Sequence, residues 1–435
     1  MNKKFVITTE EWSGLGFAKR LSEEGHQVMM AYKPKVDDPD YVAKKDQYML
    51  VGKGIVPRVP FDDVFKKRSS MKDWYWIWDS NCSTTVEENE QMRKEGFKVF
   101  MGSKWSHKME HDRDGVSKLM AKHGIPSPET FKFTDGQTAI KFLEAHEDQA
   151  FVYKPDEGEK YETYVPVAED PTEANEEVRL YLEAIKPNKP FILQEFKHGV
   201  ETNIEVWFVK GVPKFAFMCM EAKRKDEKDR GELAGCAFDF AWTVPLDSPV
   251  IAKTVGKLFP LYKKLGYTGF ADMNFFACQD GPYFIEKCER FGYNSHPNLL
   301  FNLNQDELGK TLASLVDGSF TPNFSKGFGA SVTFHTDHPH GGLPIIFPES
   351  VEKDIYYFSA YKDGEHFLTS GYYEAVLVCT AFGYTIPTAW EALMSKSDKI
   401  KFPCRTYRGD GDKTDYPSSP IRRYEALKAM GYLTN

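Results

Sequence analysis

At 435 residues the chain has room for two to four domains with separate cores. Its 56 basic against 64 acidic residues give a formal charge of −8, which argues against a non-specific nucleic-acid binder, whose phosphate contacts need a basic face. Hydrophobic residues make up 41% and form no uncharged run long enough to cross a bilayer. No signal peptide follows Met1, and the seven scattered cysteines have no CxxC spacing, so reduced thiols in a cytoplasmic protein are expected, with no membrane partner.

Phe5-Val-Ile-Thr-Thr reads as a buried strand. Glu10-Glu-Trp-Ser-Gly14-Leu-Gly16 then opens a helix that ends near Gly25, and Gln27 starts the next strand. Strand, glycine turn, helix and strand in this order predict a doubly wound α/β start. The helix N-terminus after Gly14 is a place for an anion, although the glycines are as well explained by closure of the turn. Trp74–Trp78 is a further strand ending on Asp79-Ser80-Asn81, where polar residues at a strand's carboxyl end line a ligand crevice. A helix at 86–95 and a strand at 97–101 complete this first region.

Val116, Leu119 and Met120 form a helical stripe that Gly124 and Pro126 stop, with Arg113 in its first turn. A helix near 136–145, a strand ending on Lys154, a polar loop around Gly158 and Lys160, and a return strand near 164–167 follow. A buried strand ending on a lysine before a loop suits a phosphate grip; a charged strand end is the plainer reading. Glu173–Lys186 reads as an amphipathic helix and Phe191–Phe196 as a strand. The next strand alternates, with Glu201, Asn203 and Glu205 on one face. A strand at 215–221 leads into the charged stretch Lys223–Gly235, read as a solvated loop or a substrate lid. One helix is expected over Ser248–Leu265 and another over Glu307–Val316. From Gly327 the pattern turns mostly β, with helices at 386–397 and 421–430.

Between these lie Gly269–Cys278 and Tyr283–Arg290, two strand readings joined by Gln279-Asp-Gly-Pro282, an Asp-Gly hairpin signal. Alternation puts Asp272 with Asn274, and Glu286 with Cys288 and Arg290, so the hairpin is expected to carry Asp272, Asn274, Glu286 and Arg290 on one face. Oxygen ligands beside a guanidinium suit Mg2+ holding a polyphosphate next to a group that gains negative charge. A surface hairpin with a solvated charged face is the alternative.

Taken together, these stretches resemble the ATP-grasp superfamily and, within it, the glycinamide ribonucleotide synthetase (phosphoribosylamine–glycine ligase) family. Phe100-Met-Gly-Ser-Lys-Trp-Ser-His-Lys-Met-Glu110-His-Asp-Arg113 resembles that family's FGPSKAAAQLEGSK. His123-Gly-Ile-Pro126 resembles giPT, and Leu193-Gln-Glu-Phe-Lys-His-Gly199-Val-Glu201 resembles iEEFLdGeE. Glu221-Ala-Lys223-Arg224 with Gly231 to Gly235 is similar to DYKR…GPNTGG. Ile285-Glu286-Lys-Cys288-Glu-Arg290-Phe-Gly292 is similar to lEfNaRFGDPE. The resemblance implies a multidomain α/β and α+β protein: a Rossmann-like pre-ATP-grasp domain over 1–103, an ATP-grasp domain over 104–325 with a lid at about 125–196, and a mostly β α+β domain over 326–435. It also implies a purine-biosynthesis-like ligase, monomeric or homodimeric, that uses ATP and Mg2+ (or Mn2+) to join an amino acid such as glycine to phosphoribosylamine or a similar amine. Another amine, such as a nucleotide or modified base, and a nucleotide-binding module with lost catalysis are the alternatives.

By the same resemblance Arg113 and Lys154 contact the ATP phosphates, Gln194, Glu195 and Phe196 form the adenine hinge, and Glu201 and Asn203 lie along the nucleotide, with Glu201 on the ribose. Glu286 is the first metal-ligand candidate, joined by Asn274 or Asp272. Arg290 steadies the acyl phosphate, while Lys223 and Arg224 belong to the loop that closes on substrates. The chain also departs from the pattern. Gly158 is all that remains of the glycine-rich phosphate loop, and Cys288 replaces an asparagine metal ligand. Trp12-Ser-Gly-Leu-Gly16 stands for GGREHA, Asp79-Ser80-Asn81 for GPE, and Tyr293-Asn294-Ser295 for DPE. These losses gather on the amine side.

Overall fold

The structure, a computed structural model, describes residues 2–155, 163–168, 170–338 and 340–434; the expected phosphate loop with Gly158 and Lys160 lies outside the described residues. The chain divides into two compact units. Met1–Val116, Val200–Asn274 and Glu286–Asn435 form the larger, and Ser117–Gly199 with Phe275–Ile285 the smaller.

The larger unit opens with a parallel sheet of β1 (Lys4–Thr9), β2 (Gln27–Tyr32), β3 (Arg58–Pro60), β4 (Tyr75–Trp78) and β5 (Lys98–Phe100), in the order β3-β2-β1-β4-β5. Phe5, Val6 and Ile7 on β1 and all four residues of β4 are buried, as expected of parallel strands covered on both faces. The strand order reverses between β1 and β4, the point where such sheets hold ligands. The first helix, Leu15–Glu23, starts at the Gly14 turn. Gly16 cannot be larger: an added Cβ would lie 2.3 Å from the Tyr356 ring, whose hydroxyl donates to the Ser13 carbonyl.

The smaller unit holds an antiparallel sheet of β6 (Thr130–Phe133), β7 (Phe151–Pro155) and β8 (Phe191–Glu195), with β8 central. Helices Gly136–Glu144 and Pro171–Ile185, capped by Asp135 and Asp170, pack on it through Ile140, Leu143, Val178 and Leu182 against Phe151, Phe191 and Leu193. Of the return strand expected at 164–167, the described residues show one bridge, Tyr153 with Tyr164.

The remaining strands build a nine-stranded sheet. Along the chain they are β9 (Val200–Val209), β10 (Val212–Asp226), β11 (Arg230–Thr243), β12 (Gly269–Cys278), β13 (Gly281–Glu286) and β14 (Phe328–Thr336). After β15 (Pro344–Ile345) come β16 (Ile355–Tyr357), β17 (Ala360–Asp363), β18 (His366–Thr369), β19 (Ala375–Gly383) and β20 (Arg405–Thr406). Their order is β13-β12-β9-β10-β11-β14-β19-β16, with β20 against β14, while β15, β18 and β17 form a separate small sheet.

Two expectations change here. The charged stretch from Lys223 to Gly235 is not a loop: β10 and β11 run through it and turn only at Glu227–Asp229. Its charges are paired rather than solvated. Arg408, 1% exposed, holds Asp229 at 2.5 Å and Asp410 at 2.9 Å, the Lys228 amide donates to Asp410 at 2.7 Å, and Lys225 meets Glu374 at 2.5 Å. The helix expected over Ser248–Leu265 breaks into Pro249–Lys253, a tight turn Val255–Leu258 and Phe259–Leu265. Pro260 lacks the amide that would continue the ladder, and Thr254 leaves helical geometry at φ −121° and ψ −116°.

Candidate active site

The face shared by β9, β10, β11 and β12 in the larger unit gathers most of the chemistry. Alternation on β10 brings Cys219, Glu221 and Lys223 to one side, and register sets Cys219 opposite Asn203 and Glu221 opposite Asp239. Glu201, Asn203, Glu221, Lys223, Asn274 and Arg423 line a narrow cleft there. Lys223 Nζ meets Glu201 Oε1 at 2.6 Å. Burial works against its charge, but Glu201, Glu221 and Glu286 outweigh that and hold the ammonium well above its ordinary range. Burial likewise raises the Glu221 carboxyl, with Lys223 and Arg290 pulling it down and Glu201 and Glu286 pushing it up. Glu286 and Arg290 therefore act on the same cleft as Glu221 and Lys223. Arg423, from the helix Pro420–Ala429, donates to the backbone carbonyls of Glu221, at 2.8 Å, and of Glu201.

Asp272, 3% exposed, accepts from Asn203, from Asn274 at 3.4 Å and from the Cys288 amide at 3.1 Å. Asn274 and Asp272 thus stand together as expected. β13 ends at Glu286, short of Arg290, yet the expected alternation continues past it, with Glu286, Cys288 and Arg290 half-buried and near one another. Lys287 and Glu289 turn inward as a fully buried pair 3.0 Å apart, with Lys287 donating to the Asp272 carbonyl and Tyr262 to Glu289. Cys288 and Arg290 lie in the following loop. Glu205 keeps the face expected for it with Glu201 and Asn203, but at a closed end: it is 3% exposed, bonded to Trp207 Nε1 at 2.5 Å and 3.2 Å from His296.

Arg290 connects this cleft to the crevice of the parallel sheet. Its Nε meets Glu110 Oε1 at 3.2 Å, Glu110 Oε2 accepts from Asn81 at 2.7 Å, and the guanidinium lies 4.5 Å from the Tyr293 ring centre. Tyr293 donates to Glu11 at 3.2 Å. The anion seat expected at Gly14 is already filled: the Gly14 amide donates to Asp79 Oδ2 at 2.7 Å.

Arg224 is on β10, not in a loop; it donates to the Gly231 carbonyl at 2.6 Å, and its own carbonyl accepts from Arg408 at 3.2 Å. Arg113 is exposed at the start of the helix Arg113–Lys122. In the smaller unit Lys154 is half-buried on β7 opposite Ile192. Gln194 and Glu195 are on central β8, and the amides of Glu195 and Phe196 already donate to Glu129 at 2.8 Å and Ala150 at 2.7 Å. Glu195 Oε1 holds Lys197 at 2.5 Å, and Lys197 lies 4.1 Å from the Tyr283 ring centre.

No protein-family model matches the chain. It is 25% identical over 347 residues to a phosphoribosylamine–glycine ligase of Streptococcus pneumoniae, covering 74% of this chain and 79% of that protein. It is 27% identical over 168 residues to the bifunctional purine biosynthetic protein ADE5,7 of Saccharomyces cerevisiae, 37% of this chain but only 20% of that longer protein. The solved phosphoribosylamine–glycine ligase of Thermotoga maritima superposes with a TM-score of 0.66 at 19% identity, over 94% of this chain and 99% of that one. The chain is a divergent ATP-grasp relative of these ligases. The same fold recurs in the biotin carboxylase domain of a Hydrogenobacter thermophilus 2-oxoglutarate carboxylase, solved with MgADP and bicarbonate (TM-score 0.62, 11% identity, the whole of both chains).

For an ATP-grasp chain the cleft contains residues that sequence reasoning did not single out. Glu221 was legible as the residue two before Lys223 on an alternating strand. Glu110 stood inside the quoted 100–113 stretch. Arg423 had no local signal, because only the tertiary fold brings the terminal helix to β9 and β10. Cys219, Glu221 and Asp239 also bring one ligand atom each within 4.8 Å of one another. Burial pushes the Cys219 thiol well up, and burial with the charge of Glu221 pushes Asp239 up to about 8, so these two are poor partners for a hard cation.

Proposed function

We propose that the protein is an ATP-dependent carboxylate–amine ligase, in which ATP phosphorylates a carboxylate and an amine then displaces phosphate to leave an amide and ADP. One observation carries the reading: in a chain of this fold, Glu201, Asn203, Glu221, Lys223 and Asn274 line a single cleft, with Lys223 on Glu201 at 2.6 Å and the charges of Glu286 and Arg290 reaching it. The names of the relatives supply glycine as the donor and phosphoribosylamine as the first acceptor to test.

The chemistry asks little covalent help of the protein, since phosphoryl transfer is mostly positioning and charge stabilisation. Lys223 exchanges its bond with Glu201 for the transferring phosphoryl group, and Arg290 stabilises the acyl phosphate. Arg113 and Lys154 take the nucleotide's phosphates, and Glu201 and Asn203 its ribose side. The adenine edge falls to backbone groups just past Phe196, because the Glu195 and Phe196 amides are committed to the sheet.

The donor set fits Mg2+ in part. Glu286, Glu221 and Asn274 offer oxygens, which a hard cation prefers. Asp272 is engaged by three donors and serves to hold Asn203, Asn274 and the Cys288 amide in place. Burial keeps the Cys288 thiol well above its ordinary range, so it is no match for the oxygen ligand it replaces. When bound, the cation neutralises phosphate charge.

The test uses the purified full chain with MgATP, glycine and hydroxylamine, which captures an acyl phosphate as a hydroxamate whatever the natural amine. ADP and hydroxamate in equal amounts, dependent on the amino acid, are the expected result. ADP release that ignores the carboxylate, or survives Glu286→Ala unchanged, ends the reading.

A further inference from the structure

The crevice at the carboxyl ends of β1 and β4 has a chemistry of its own. Glu10, Glu11 and Asp79 meet there. Glu10 is bound by Lys35 at 3.3 Å and by Ser83 at 3.3 Å, and its carbonyl accepts from Tyr48 at 2.8 Å. Glu11 is half-buried, and its carboxylate accepts from the Tyr293 hydroxyl. Asp79 is 2% exposed; its Oδ2 takes the Gly14 amide, the Thr9 and Ser13 hydroxyls also favour its charged form, and among the described residues its Oδ1 has no partner within hydrogen-bond distance. Asn81, 7% exposed, likewise leaves its Oδ1 without one. Two orphaned oxygens buried at one strand end are costly unless a donor comes from outside.

Aromatic rings wall the same place. Trp12 and Tyr48 lie 5.3 Å apart, Tyr48 and Tyr372 5.1 Å, and Tyr372 and Tyr373 4.4 Å; the Glu11 carboxylate acts on the buried Tyr373 hydroxyl. Carboxylates and carbonyl oxygens among aromatic faces suit an ammonium group.

A phosphate does not fit. The turn amide that would cradle it at the helix N-terminus is taken by Asp79, and two glutamates share that turn. The neighbouring lysines are committed: Lys33 to Asp62 at 3.0 Å and Glu88 at 3.2 Å, and Lys35 to Glu10. A phosphate on them would have to displace three carboxylates.

We infer that this crevice is the acceptor subsite and that it takes a phosphate-free amine that arrives as a cation. The inference rests on the ligase reading and narrows it, away from phosphoribosylamine and nucleotides. In the reaction the bound ammonium gives one proton to Glu11, and the freed nitrogen lone pair attacks the acyl carbon. The C–N bond forms as the C–O bond to phosphate breaks. Its electron pair leaves with phosphate, which also takes the second nitrogen proton.

The test is calorimetry on the full chain at low salt, titrating 1,4-diaminobutane against O-phosphoethanolamine. The diamine is expected to bind at least about tenfold more tightly, and Glu11→Gln to weaken it by about tenfold or more. Glu11 is half-buried at the surface of its turn, so the variant should fold, and its melting temperature checks that. Equal or tighter binding of the phosphorylated amine, no heat from the diamine, or an unchanged diamine affinity in Glu11→Gln each overturns the inference. The hydroxylamine assay separates the two readings. If hydroxamate forms while the phosphorylated amine is preferred, only the acceptor inference falls. If the diamine binds but no hydroxamate forms with any amino acid, the ligase reading falls and the acceptor role with it.

Discussion

The cleft of the nine-stranded sheet and the crevice of the parallel sheet both crowd carboxylates, but they balance them differently. In the cleft, Glu201, Glu221 and Glu286 stand in the field of Lys223, and Glu221 also in that of Arg290. In the crevice, Asp79 has no ion-pair partner among the described residues, and Lys35, whose field reaches Glu11, is bound to Glu10. A balanced cluster can open its pairs to a polyphosphate and a metal ion and lose little, because each charge changes partner. An unbalanced one keeps a standing attraction for a cation. The contrast separates the step that makes the acyl phosphate from the step that consumes it.

The largest effect should come from removing the platform that carries the cleft. Arg408 is buried between Asp229 and Asp410 and pins the turn between β10 and β11. Arg408→Met leaves two carboxylates facing each other without a cation and should cost about 3–5 kcal/mol of stability, read by urea unfolding. A loss under about 1 kcal/mol would mean that the hairpin, and with it the position of Lys223, does not depend on this grip.

Next come the charges that face the transferring group. Glu286→Ala or Arg290→Ala should lower kcat for hydroxamate formation by about 10²–10³-fold, the scale of one lost transition-state contact. Lys223→Met should lower it by about 10–100-fold, with partial recovery in Lys223→Arg, since the charge survives while the bond to Glu201 is redrawn. If these variants changed diamine binding more than kcat, cleft and crevice would not be distinct.

How far the sequence foretold this depends on what each element needs. The strand–turn–helix opening and the hairpin from Gly269 to Glu286 are written in local alternation and glycine turns, and both are present. Asp272 with Asn274 followed from that period alone. The stretch from Lys223 to Gly235 looked like a loop because its charges have partners, Asp410, Glu374 and Arg408, that lie 149 to 182 residues away. Periodicity cannot show a charge neutralised by tertiary contact. Lys287 and Glu289 give no local signal for the same reason: their pairing depends on Tyr262 and the Asp272 carbonyl closing over them. Asp79 was foreseen as a crevice residue, but its capture of the Gly14 amide was not, because that bond depends on two strands meeting across 65 positions.

The smallest effect concerns proton balance, read at one buried acid in each region. Burial pushes Asp79 up to about 7 although the Gly14 amide pulls the other way, and burial with Glu221 pushes Asp239 up to about 8; both start from 3.8. A carboxyl raised in the folded state contributes stability that is full below pH 3.8 and is lost as pH climbs through its folded value. His335 runs oppositely: burial lowers it from 6.5 to about 4, so its contribution is full above 6.5 and is lost on acidification. Above pH 6.5 the histidine is therefore silent, and the buried carboxyls set this part of the slope, Asp79 and Asp239 together with Asp272, Glu221 and Glu289, which burial also raises. Each contributes at most about 1.4 kcal/mol per pH unit while it titrates. Asp239→Asn should flatten the fall in stability up to about pH 8, and Asp79→Asn only up to about pH 7. The two profiles, measured by urea unfolding at half-unit steps, should part above pH 7. If they coincide, the two carboxyls titrate alike, and the difference between an acid pressed by Glu221 and one that three hydrogen-bond donors hold down against burial and Glu11 is lost.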